Sequence, residues 1–559
     1  MERYQGEPLR HLGDLPAMGA QRYGDKAAFQ YYGQQVSFEE LDEKARRVAN
    51  ALLDAGVEPG DRVGLLIPNT IQFPPAYFGA IKAGAVAVPL NLRMDPETLV
   101  YVVEDVDMEY VIGANQLVNE ALDLAEAADV GTLFLPGGVD EDDEEELPEG
   151  HEVLDYDAAI EDASPELDRP ERAFDDVACQ PYTSGTTGNP KGVLLTHENL
   201  LTTIESFANG GLPIDPDDSV LLILPLFHIY ALNALMGSFL YSGGTMVMQA
   251  IPNPVNMLNA IQDNDLTNFA GVPAMYNMMF REYQKDPDEY DLSSLENVVC
   301  AAAPLAEDTR KKIEEAWNVP VVEGWGMTET APAGTAEPVR GVRKEAGCIG
   351  PPVPDVEIKL VDPDTRETKV PAEALEPRGM ANPELDFDDE DAVTGEIAIR
   401  GDQIFEGYYE LPEKNAEVFD DEDWFYTDDI ARVDEDGYFW MVDRADDMML
   451  VGGENVYPAE VEDALYAHPA VAEAAVVAAS HEIKGEAPVA FVVLGEGDEV
   501  TEKELRQHSL NHVATYAHPR RIIFVDELPR SATQKVQRYK LEEQAEEEIG
   551  ELEPTEEEL

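Results

Sequence analysis

Cysteine is almost absent from this chain of 559 residues, and its three copies, Cys179, Cys300 and Cys348, are far apart. Such spacing excludes a disulfide framework and a cysteine-rich zinc site, so we predict that the three thiols are buried as small apolar groups. The amino terminus also lacks the apolar core of a signal peptide. We therefore expect a cytoplasmic protein.

Basic residues are scarce too, because 38 Lys and Arg accompany 115 Asp and Glu, which gives a net charge of -77. The acids are spread along the chain and 44% of the residues are hydrophobic, so a packed core is expected rather than disorder. Such a surface is similar to that of proteins from a salt-loaded cytoplasm, where cations screen self-repulsion. We expect a halophilic source, weakened folding in dilute buffer, and no nucleic acid or anionic lipid as partner, because like charges repel.

Residues 220–249 contain no acid, lysine or arginine, and the run is long enough to span a bilayer. Pro225 would break a spanning helix early, however, and Gly243-Gly244 separates a helical pattern from a strand pattern. We therefore predict a buried strand, helix and strand of an α/β core, and no membrane span.

The hydrophobic pattern alternates between helix and strand over much of the chain. Residues 37–56 begin with the capping box Ser37-x-x-Glu40, keep one apolar face and stop at Gly56. Alternation of this kind is typical of a largely parallel, doubly wound α/β sheet. It recurs at residues 62–67, 85–89, 99–113 and 199–248.

Near Gly395 the pattern changes to short apolar alternations separated by turn residues, which predicts a small β-rich subdomain. A charged run at residues 443–447 then precedes a fresh α/β pattern, with helices expected at 458–467 and 502–512 and strands near Ala474, near Val489 and at 522–525. We predict an N-terminal domain at 1–443 that includes the subdomain at 395–443, a hinge at 444–447, a C-terminal domain at 448–545 and an acidic tail at 546–559. The acidic segments 137–152, 373–391 and 542–559 are expected to be solvated loops or frayed ends.

The most distinctive stretch is YTSGTTGNPKGVLLTHENL, residues 182–200. Its hydroxyls, glycines and lysine suit a polyphosphate, because they offer side-chain donors, backbone N–H groups and an ammonium together. It is not a Walker loop, since the lysine follows Asn189-Pro190 and no GK[ST] ending is present; a Gly-rich surface turn is the alternative. The predicted phosphate-binding residues are Thr183, Ser184, Gly185, Thr186, Thr187, Gly188 and Lys191.

This stretch resembles the phosphate loop of the acyl-adenylate-forming (AMP-binding) superfamily, which includes acyl-CoA synthetases, firefly luciferase and the adenylation domains of peptide synthetases. Further motifs recur in the expected order over nearly the whole chain. The resemblance implies a large N-terminal domain of doubly wound sheets, a small β-rich subdomain and a small mobile α+β C-terminal domain. It also implies ATP, Mg²⁺ and CoA as the small molecules used.

EGWGMTET, residues 323–330, looks like the adenine-binding strand and turn of this family. By that resemblance Trp325 would stack on the base, Thr328 would meet the α-phosphate and Glu329 would hold Mg²⁺. A core tryptophan is the alternative for Trp325 taken alone. Residues 301–305 similarly resemble the family's small-residue strand against which adenine lies, although small side chains could equally leave room for a packed helix. By the resemblance of the two stretches, base and phosphate contacts are implied for Ala302, Ala303, Glu323, Gly324, Gly326 and Met327.

Three later motifs complete the implied nucleotide site. Asp429 resembles the ribose-binding aspartate, although Asp428 stands where the family usually has glycine and leaves a one-position ambiguity. Arg444 resembles an arginine that also meets ribose. Lys535, in RSATQKVQR, resembles the C-terminal lysine that reaches the site during adenylation; Gln534 replaces the usual glycine there, and a plain surface lysine is the alternative.

The second half-reaction is implied by residues of the C-terminal domain. Asp446 falls at the family's hinge position, where a backbone rotation swings that domain between two arrangements. In GGENVYPAEVE, residues 452–462, Gly452 and Gly453 would let a pantetheine arm pass and Asn455 could contact nucleotide. His228 resembles the histidine at the mouth of the acyl and thiol channels, with a core histidine as the alternative.

The acyl pocket implied by the family is mostly apolar, which favours a hydrophobic acid over a charged or amino substrate. Its predicted walls include Phe227, His228, Tyr230, Val272, Tyr276 and Ala301. The resemblance implies an AMP-forming acyl-CoA synthetase of the fatty-acid type, for medium or long chains, with Lys535, Lys191, Thr328 and His228 as catalytic residues. Alternatives are an aryl-acid CoA ligase of the 4-coumarate or benzoate type, a short-chain enzyme, an adenylation enzyme that loads a carrier protein, and a non-enzymatic acyl or nucleotide-binding module. The oligomeric state is open, with a homodimer among the options.

Overall fold

The computed structural model describes most of the chain. The described residues are 3–4, 7–138, 151–183, 189–211, 213–303, 305, 307–339, 343–345, 347–375, 385–444, 447–451, 454–481, 484–495, 500–530, 536–550 and 552.

The first sheet has seven strands, which pair in parallel except at one edge, where Leu195–Thr196 runs antiparallel to Val177–Cys179. Its central strands are short apolar runs whose residues are almost all buried, as expected of a sheet covered by helices on both faces. In spatial order the strands are Leu195–Thr196, Val177–Cys179, Val86–Pro89, Arg62–Leu66, Tyr110–Gly113, Thr132–Leu135 and Glu152–Asp155.

Helices connect these strands, and the first illustrates why the local sequence folds as predicted. Helix Phe38–Asp54 begins at the predicted capping box, in which Ser37 and Glu40 bond each other's backbone N–H groups. Its apolar face packs against helix Phe73–Lys82. The other helices around this sheet are Pro96–Asp105, Val118–Ala128, Tyr156–Asp162 and His197–Ser206.

The second sheet has eight strands and is parallel at its centre, with antiparallel strands only at its two edges. The predicted doubly wound α/β architecture is therefore confirmed. In spatial order the strands are Thr335–Ala336, Val321–Trp325, Asn297–Cys300, Asn268–Gly271, Ser219–Leu222, Thr245–Met248, Ala27–Tyr31 and Gln34–Ser37; the helices are Leu15–Tyr23, Pro254–Asp263, Pro273–Tyr283 and Glu307–Trp317.

The apolar run at residues 220–249 forms the predicted strand, helix and strand. Strand Ser219–Leu222 is followed by helical segments Tyr230–Gly237 and Ser238–Ser242 and by strand Thr245–Met248, and nearly all of these residues are buried. Within the described part of the chain, no helix is both long enough and apolar enough to cross a membrane. The three cysteines are free and buried, as predicted.

A third, antiparallel sheet of six strands follows. Its long strands lie in the region from residue 394 onward, where the sequence alternates between apolar and polar residues as predicted. Three further strands lie earlier in the chain, before residue 371. Helix Pro412–Val418 lies between two of its strands. In spatial order the strands are Cys348–Gly350, Phe439–Arg444, Phe425–Val433, Thr394–Arg400, Glu357–Val361 and Thr368–Val370.

The last sheet lies in the C-terminal domain, whose apolar side chains form separate clusters of their own. Helix Arg538–Glu548 packs on this sheet through Leu541 and Ala545, so residues 542–548 are not the frayed end that their acidity suggested. The strands are Met449–Val451, Glu454–Val456, Val471–His481, Gly485–Leu494 and Arg521–Phe524, and the other helices are Pro458–Tyr466 and Glu502–Leu510.

Candidate active site

Lys191 lies at the base of the predicted phosphate loop. Thr183 and Lys191 are paired across a short antiparallel ribbon, formed by strands Tyr182–Thr183 and Lys191–Gly192. Backbone bonds tie this ribbon to the segment at 407–409, because the Tyr409 N–H donates to the Gly192 carbonyl at 2.8 Å. Lys191 and Tyr408 are therefore held next to each other.

Tyr408 contacts two of the predicted site residues at once. The Lys191 ammonium lies 4.6 Å from the centroid of the Tyr408 ring, a cation–π contact. The Tyr408 hydroxyl donates to Glu329 Oε1 at 2.8 Å, and both residues are buried. Burial lowers the pKa of Lys191, while the nearby Glu329 carboxylate opposes that change. The sequence analysis did not identify Tyr408 as a site residue, because the GYY run that contains it indicates only a strand and a turn.

Trp325, Asp429 and Arg444 form a second contact group. The Trp325 indole N–H donates to Asp429 Oδ2 at 2.6 Å, and Arg444 Nε lies 3.6 Å from Asp429 Oδ1. Asp429 and Arg444 are cross-strand partners in the third sheet, so the sheet register sets their distance. The carboxylate of Asp429, rather than that of Asp428, makes these contacts. Asp428 has a left-handed backbone (φ 61°), and its N–H donates to Glu396.

The two groups share one region of the protein. The charge of Arg444 lowers the pKa of Lys191, and Asp428 raises it, so both side chains lie within electrostatic range of the ammonium. The pKa of the Tyr408 hydroxyl is raised by burial first and then by Glu329 and Asp428. The structure thus brings Lys191, Glu329, Trp325, Asp429 and Arg444 to one site.

The predicted adenine strand enters this site from the second sheet. Ala302 follows strand Asn297–Cys300 in a left-handed conformation (φ 71°). Gly326 cannot carry a side chain, because a Cβ there would lie 1.7 Å from the Pro332 carbonyl oxygen. Thr328 is half-buried and opens the short turn Thr328–Thr330. The backbone path from Gly324 to Met327 therefore depends on a close approach of two chain segments.

Glu323 meets protein groups through its side chain. Its carboxylate accepts from the N–H groups of Leu305 (3.2 Å) and Gly347 (3.3 Å) and from the Arg310 guanidinium (3.1 Å). Burial raises the pKa of this carboxyl to about 7, although Arg310 acts in the opposite direction. A nucleotide contact of Glu323 stays a prediction, and on this geometry it would have to come from the backbone.

The predicted acyl-pocket residues are largely apolar and buried. Tyr230, Val272 and Tyr276 are at most 9% exposed, and Tyr276 packs on Phe269 and Trp317 while its hydroxyl donates to the Val299 carbonyl. His228 is half-buried, and its Nδ1 accepts the Tyr230 N–H at 3.3 Å. Phe227 lines a small open pocket of about 70 Å³, together with Pro68, Asn69, Leu92, Arg93, Ile223, Pro225, Ala250 and Pro252.

Several predicted residues lie outside the described part of the chain. Asn455 lies in strand Glu454–Val456, and the segment that carries Lys535 is flanked by a backbone bridge between Arg530 and Val536. The residues outside are Ser184, Gly185, Thr186, Thr187, Gly188, Asp446, Gly452, Gly453, Gln534 and Lys535.

Comparison with protein-family models and with known proteins shows which family the chain belongs to. The model described as AMP-binding enzyme matches residues 17–409, and the model of the AMP-binding enzyme C-terminal domain matches residues 460–535. The chain is 30% identical to a long-chain-fatty-acid–CoA ligase of Bacillus subtilis (strain 168), over 96% of this chain and 94% of that protein. It is 33% identical to 4-coumarate–CoA ligase 2 of Nicotiana tabacum, over 91% and 89%.

A solved structure, that of an anthranilate CoA ligase in complex with anthranoyl-AMP, superposes with a TM-score of 0.84 at 27% identity. The superposition covers 97% of this chain and 99% of that one. The matches together extend over nearly the full length of the chain and include both domains. This chain belongs to the AMP-binding enzyme family, whose members are acyl-adenylate-forming enzymes.

Proposed function

We propose that this chain is an AMP-forming acid–CoA ligase. In the first step a carboxylate oxygen of the acid attacks the α-phosphorus of ATP, a bond to the α-phosphorus forms, and pyrophosphate leaves. In the second step the CoA thiol attacks the acyl carbon, loses its proton and displaces AMP. The observation that carries the proposal is the proximity of Lys191, Tyr408 and Glu329 to Trp325, Asp429 and Arg444.

The electrostatics of the site suit the first step. Carboxylate and triphosphate are both anions and repel each other, so the protein must supply positive charge and hold the two in line. Lys191 and Arg444 supply fixed positive charge in the described part of the site, with Lys191 for phosphate and Arg444 for ribose. Asp429 offers carboxylate oxygens for the ribose hydroxyls. Lys535 is proposed as the cation that reaches the site from the C-terminal domain.

Glu329 fits a magnesium ion. Its carboxylate is 5% exposed and oriented by Tyr408, and Mg²⁺ is commonly bound by one or two carboxylates plus substrate phosphates. No cluster of three or more metal-ligating side chains occurs among the described residues, so phosphate and water oxygens would supply the other ligands. A bound Mg²⁺ would neutralise charge on the β- and γ-phosphates of ATP.

The proposed substrate is a hydrophobic carboxylic acid, with medium- or long-chain fatty acids first and aryl acids as the rival class. The buried, apolar surroundings of Tyr230, Val272 and Tyr276 support this class, because a charged acid would find no charged side chain among the predicted walls. The relatives include enzymes named for fatty and for aryl acids, so they do not separate the two. A cytoplasmic location and a salt-rich cytoplasm are part of this proposal.

The test is a screen of acids run at high salt. Acetate, medium- and long-chain fatty acids, benzoate and 4-coumarate would each be assayed for acid-dependent exchange of pyrophosphate with ATP. The best acids would then be assayed for CoA-dependent release of AMP. Exchange without CoA-dependent release would indicate an enzyme that loads a carrier protein. Absence of exchange with every acid would indicate a binding module.

A further inference from the structure

A buried ionic cluster lies against the predicted adenine strand, and we call Arg310, Glu323 and Glu337 the Arg310 cluster. Arg310 Nη1 lies 3.1 Å from Glu323 Oε1, and Arg310 Nη2 lies 3.1 Å from Glu337 Oε2. The three side chains are 5%, 4% and 0% exposed, respectively. Charged groups are rarely buried to this extent unless each is paired, so the cluster needs an explanation.

The two carboxylates of the cluster hold four backbone amides from three separate segments. Glu323 accepts from the N–H groups of Leu305 and Gly347. Glu337 accepts from the N–H groups of Glu323 (3.0 Å) and Lys344 (3.1 Å). The turn after strand Asn297–Cys300, the strand Val321–Trp325 and the segment near Gly347 are thereby joined. Two of these segments carry Ala302, Ala303, Gly324 and Trp325, the residues predicted to lie against the base.

Arg310 is the cation that makes this arrangement possible. Two buried carboxylates repel each other, and burial raises the pKa of Glu323 and of Glu337, while Arg310 opposes the rise for both. A guanidinium presents its donors in a rigid fork, so one arginine can bond two carboxylates in fixed directions. Arg310 also lies 3.6 Å from Glu314, which accepts the Val321 N–H. Helix Glu307–Trp317 is thereby attached to the start of the adenine strand.

We propose that Arg310 is a positioning residue for the adenine nucleotide, because its guanidinium bonds Glu323 and Glu337 and so fixes the three segments that form the wall of the base site. Arg310 itself does not touch the nucleotide. The proposal rests on the proposed function only in requiring that this pocket take an adenine nucleotide; it does not depend on the identity of the acid or on CoA.

The experiment measures AMP binding by calorimetry at high salt, without acid or CoA, for wild type and for Arg310→Met. Methionine keeps an unbranched apolar stem and removes the charge and the fork. We expect AMP affinity to fall by about tenfold, which corresponds to about 1.4 kcal/mol of binding free energy. In steady-state assays KM for ATP should rise by a similar factor, while KM for the acid stays within about twofold, as expected for lost nucleotide binding.

The matched control is Arg343→Met. Arg343 pairs with Glu314 at 2.5 Å, at the edge of the same group of charges, but makes no hydrogen bond or ion pair with Glu323 or Glu337, and its side chain is 35% exposed. It should leave AMP affinity at the wild-type value. Arg310→Lys, which keeps the charge without the fork, should recover part of the affinity lost in Arg310→Met.

A folded Arg310→Met variant with wild-type AMP affinity would overturn the proposal, and so would an equal rise in KM for ATP and for the acid. If Arg310→Met does not fold, Glu337→Gln decides, since it removes one charge but keeps an oxygen acceptor; unchanged AMP affinity in that variant overturns the proposal. A wild-type protein that does not bind AMP also overturns it. A wild-type protein that binds AMP but shows no acid-dependent exchange contradicts the ligase function alone.

Discussion

Replacing Tyr408 with phenylalanine removes one hydroxyl from the centre of the candidate site. The bond from this hydroxyl to Glu329 Oε1 is 2.8 Å long, and both residues are 5% exposed. A hydrogen bond to a charged group contributes about 1.5–3 kcal/mol, and each 1.36 kcal/mol corresponds to about tenfold in rate. If Glu329 must be oriented to hold Mg²⁺, Tyr408→Phe should slow adenylation by about 10- to 100-fold. The Mg²⁺ concentration needed for half-maximal rate should rise.

The phenylalanine ring still lies under the Lys191 ammonium, so the cation–π contact is kept in Tyr408→Phe. Tyr408→Leu removes that contact as well, which is worth about 1 kcal/mol and should cost roughly a further fivefold. The assay is acid-dependent exchange of pyrophosphate with ATP over a Mg²⁺ titration. Thiolysis of supplied acyl-AMP should stay within about twofold of wild type in both variants, because it involves no triphosphate.

Tyr409→Phe is the matched control, since the neighbouring Tyr409 ring lies against Arg62 at 4.8 Å and has no contact with Glu329. Circular dichroism would establish that all three variants fold. Wild-type exchange and an unchanged Mg²⁺ requirement in Tyr408→Phe would refute the argument that this hydroxyl orients the carboxylate. Equal losses in adenylation and thiolysis would show that the substitution acts on the fold instead.

Three further predictions concern the moving lysine, pH and salt. Lys535→Ala should cripple adenylation and spare thiolysis of supplied acyl-AMP; equal loss of both half-reactions would contradict the role. Burial raises the pKa of Glu396 to about 7 from an ordinary value of 4.5. Between these two pH values the folded state binds more protons than the unfolded state, so the free energy of unfolding falls as pH rises from about 4.5 to about 7. In Glu396→Gln the free energy of unfolding should depend less on pH, so its difference between about pH 4.5 and about pH 7 should shrink by up to about 3 kcal/mol. Denaturant titrations at constant high salt measure this difference. An unchanged pH dependence would contradict the assignment of the effect to Glu396. Because the chain and ATP are both strongly anionic, the association rate of ATP should rise with salt in stopped-flow measurements, while that of uncharged adenosine stays nearly constant; a fall for ATP would be the opposite result.

Local signals in the sequence were enough to place many elements. Helix Phe38–Asp54 is predictable because its capping box and its apolar face both lie within twenty residues. Strand Arg62–Leu66 is predictable because a buried parallel strand is a short apolar run. Helix Arg538–Glu548 was misread because its acids outnumber its few buried apolar residues, so its amphipathic signal is weak. The strands of the third sheet that precede residue 395 were also missed, since their partners lie far away along the chain.

The candidate site divides in the same way. Trp325, Asp429 and Arg444 were found because each stands in a run of residues that resembles a family motif, and the structure places them in contact. Tyr408 and Arg310 stand in no such run. Tyr408 meets Glu329 across 79 positions of sequence, and Arg310 is a single arginine on a charged helix. Contacts of this kind depend on the packing of three sheets, which single-sequence patterns do not encode.

The contact of Tyr408 with both Lys191 and Glu329 addresses a problem specific to so acidic a chain. With 115 acids and 38 basic residues, an ammonium in a site has many carboxylates available as partners. An ammonium held by a ring face keeps N–H groups that can donate to phosphate, whereas a close carboxylate partner would compete with the phosphate for them. The same tyrosine directs its hydroxyl to Glu329. In the proposed function, one side chain thus positions the cation for the phosphates and the carboxylate for a metal ion. A leucine or valine at this position would fill the space but perform neither task, so the proposed function predicts an aromatic residue with a hydroxyl there.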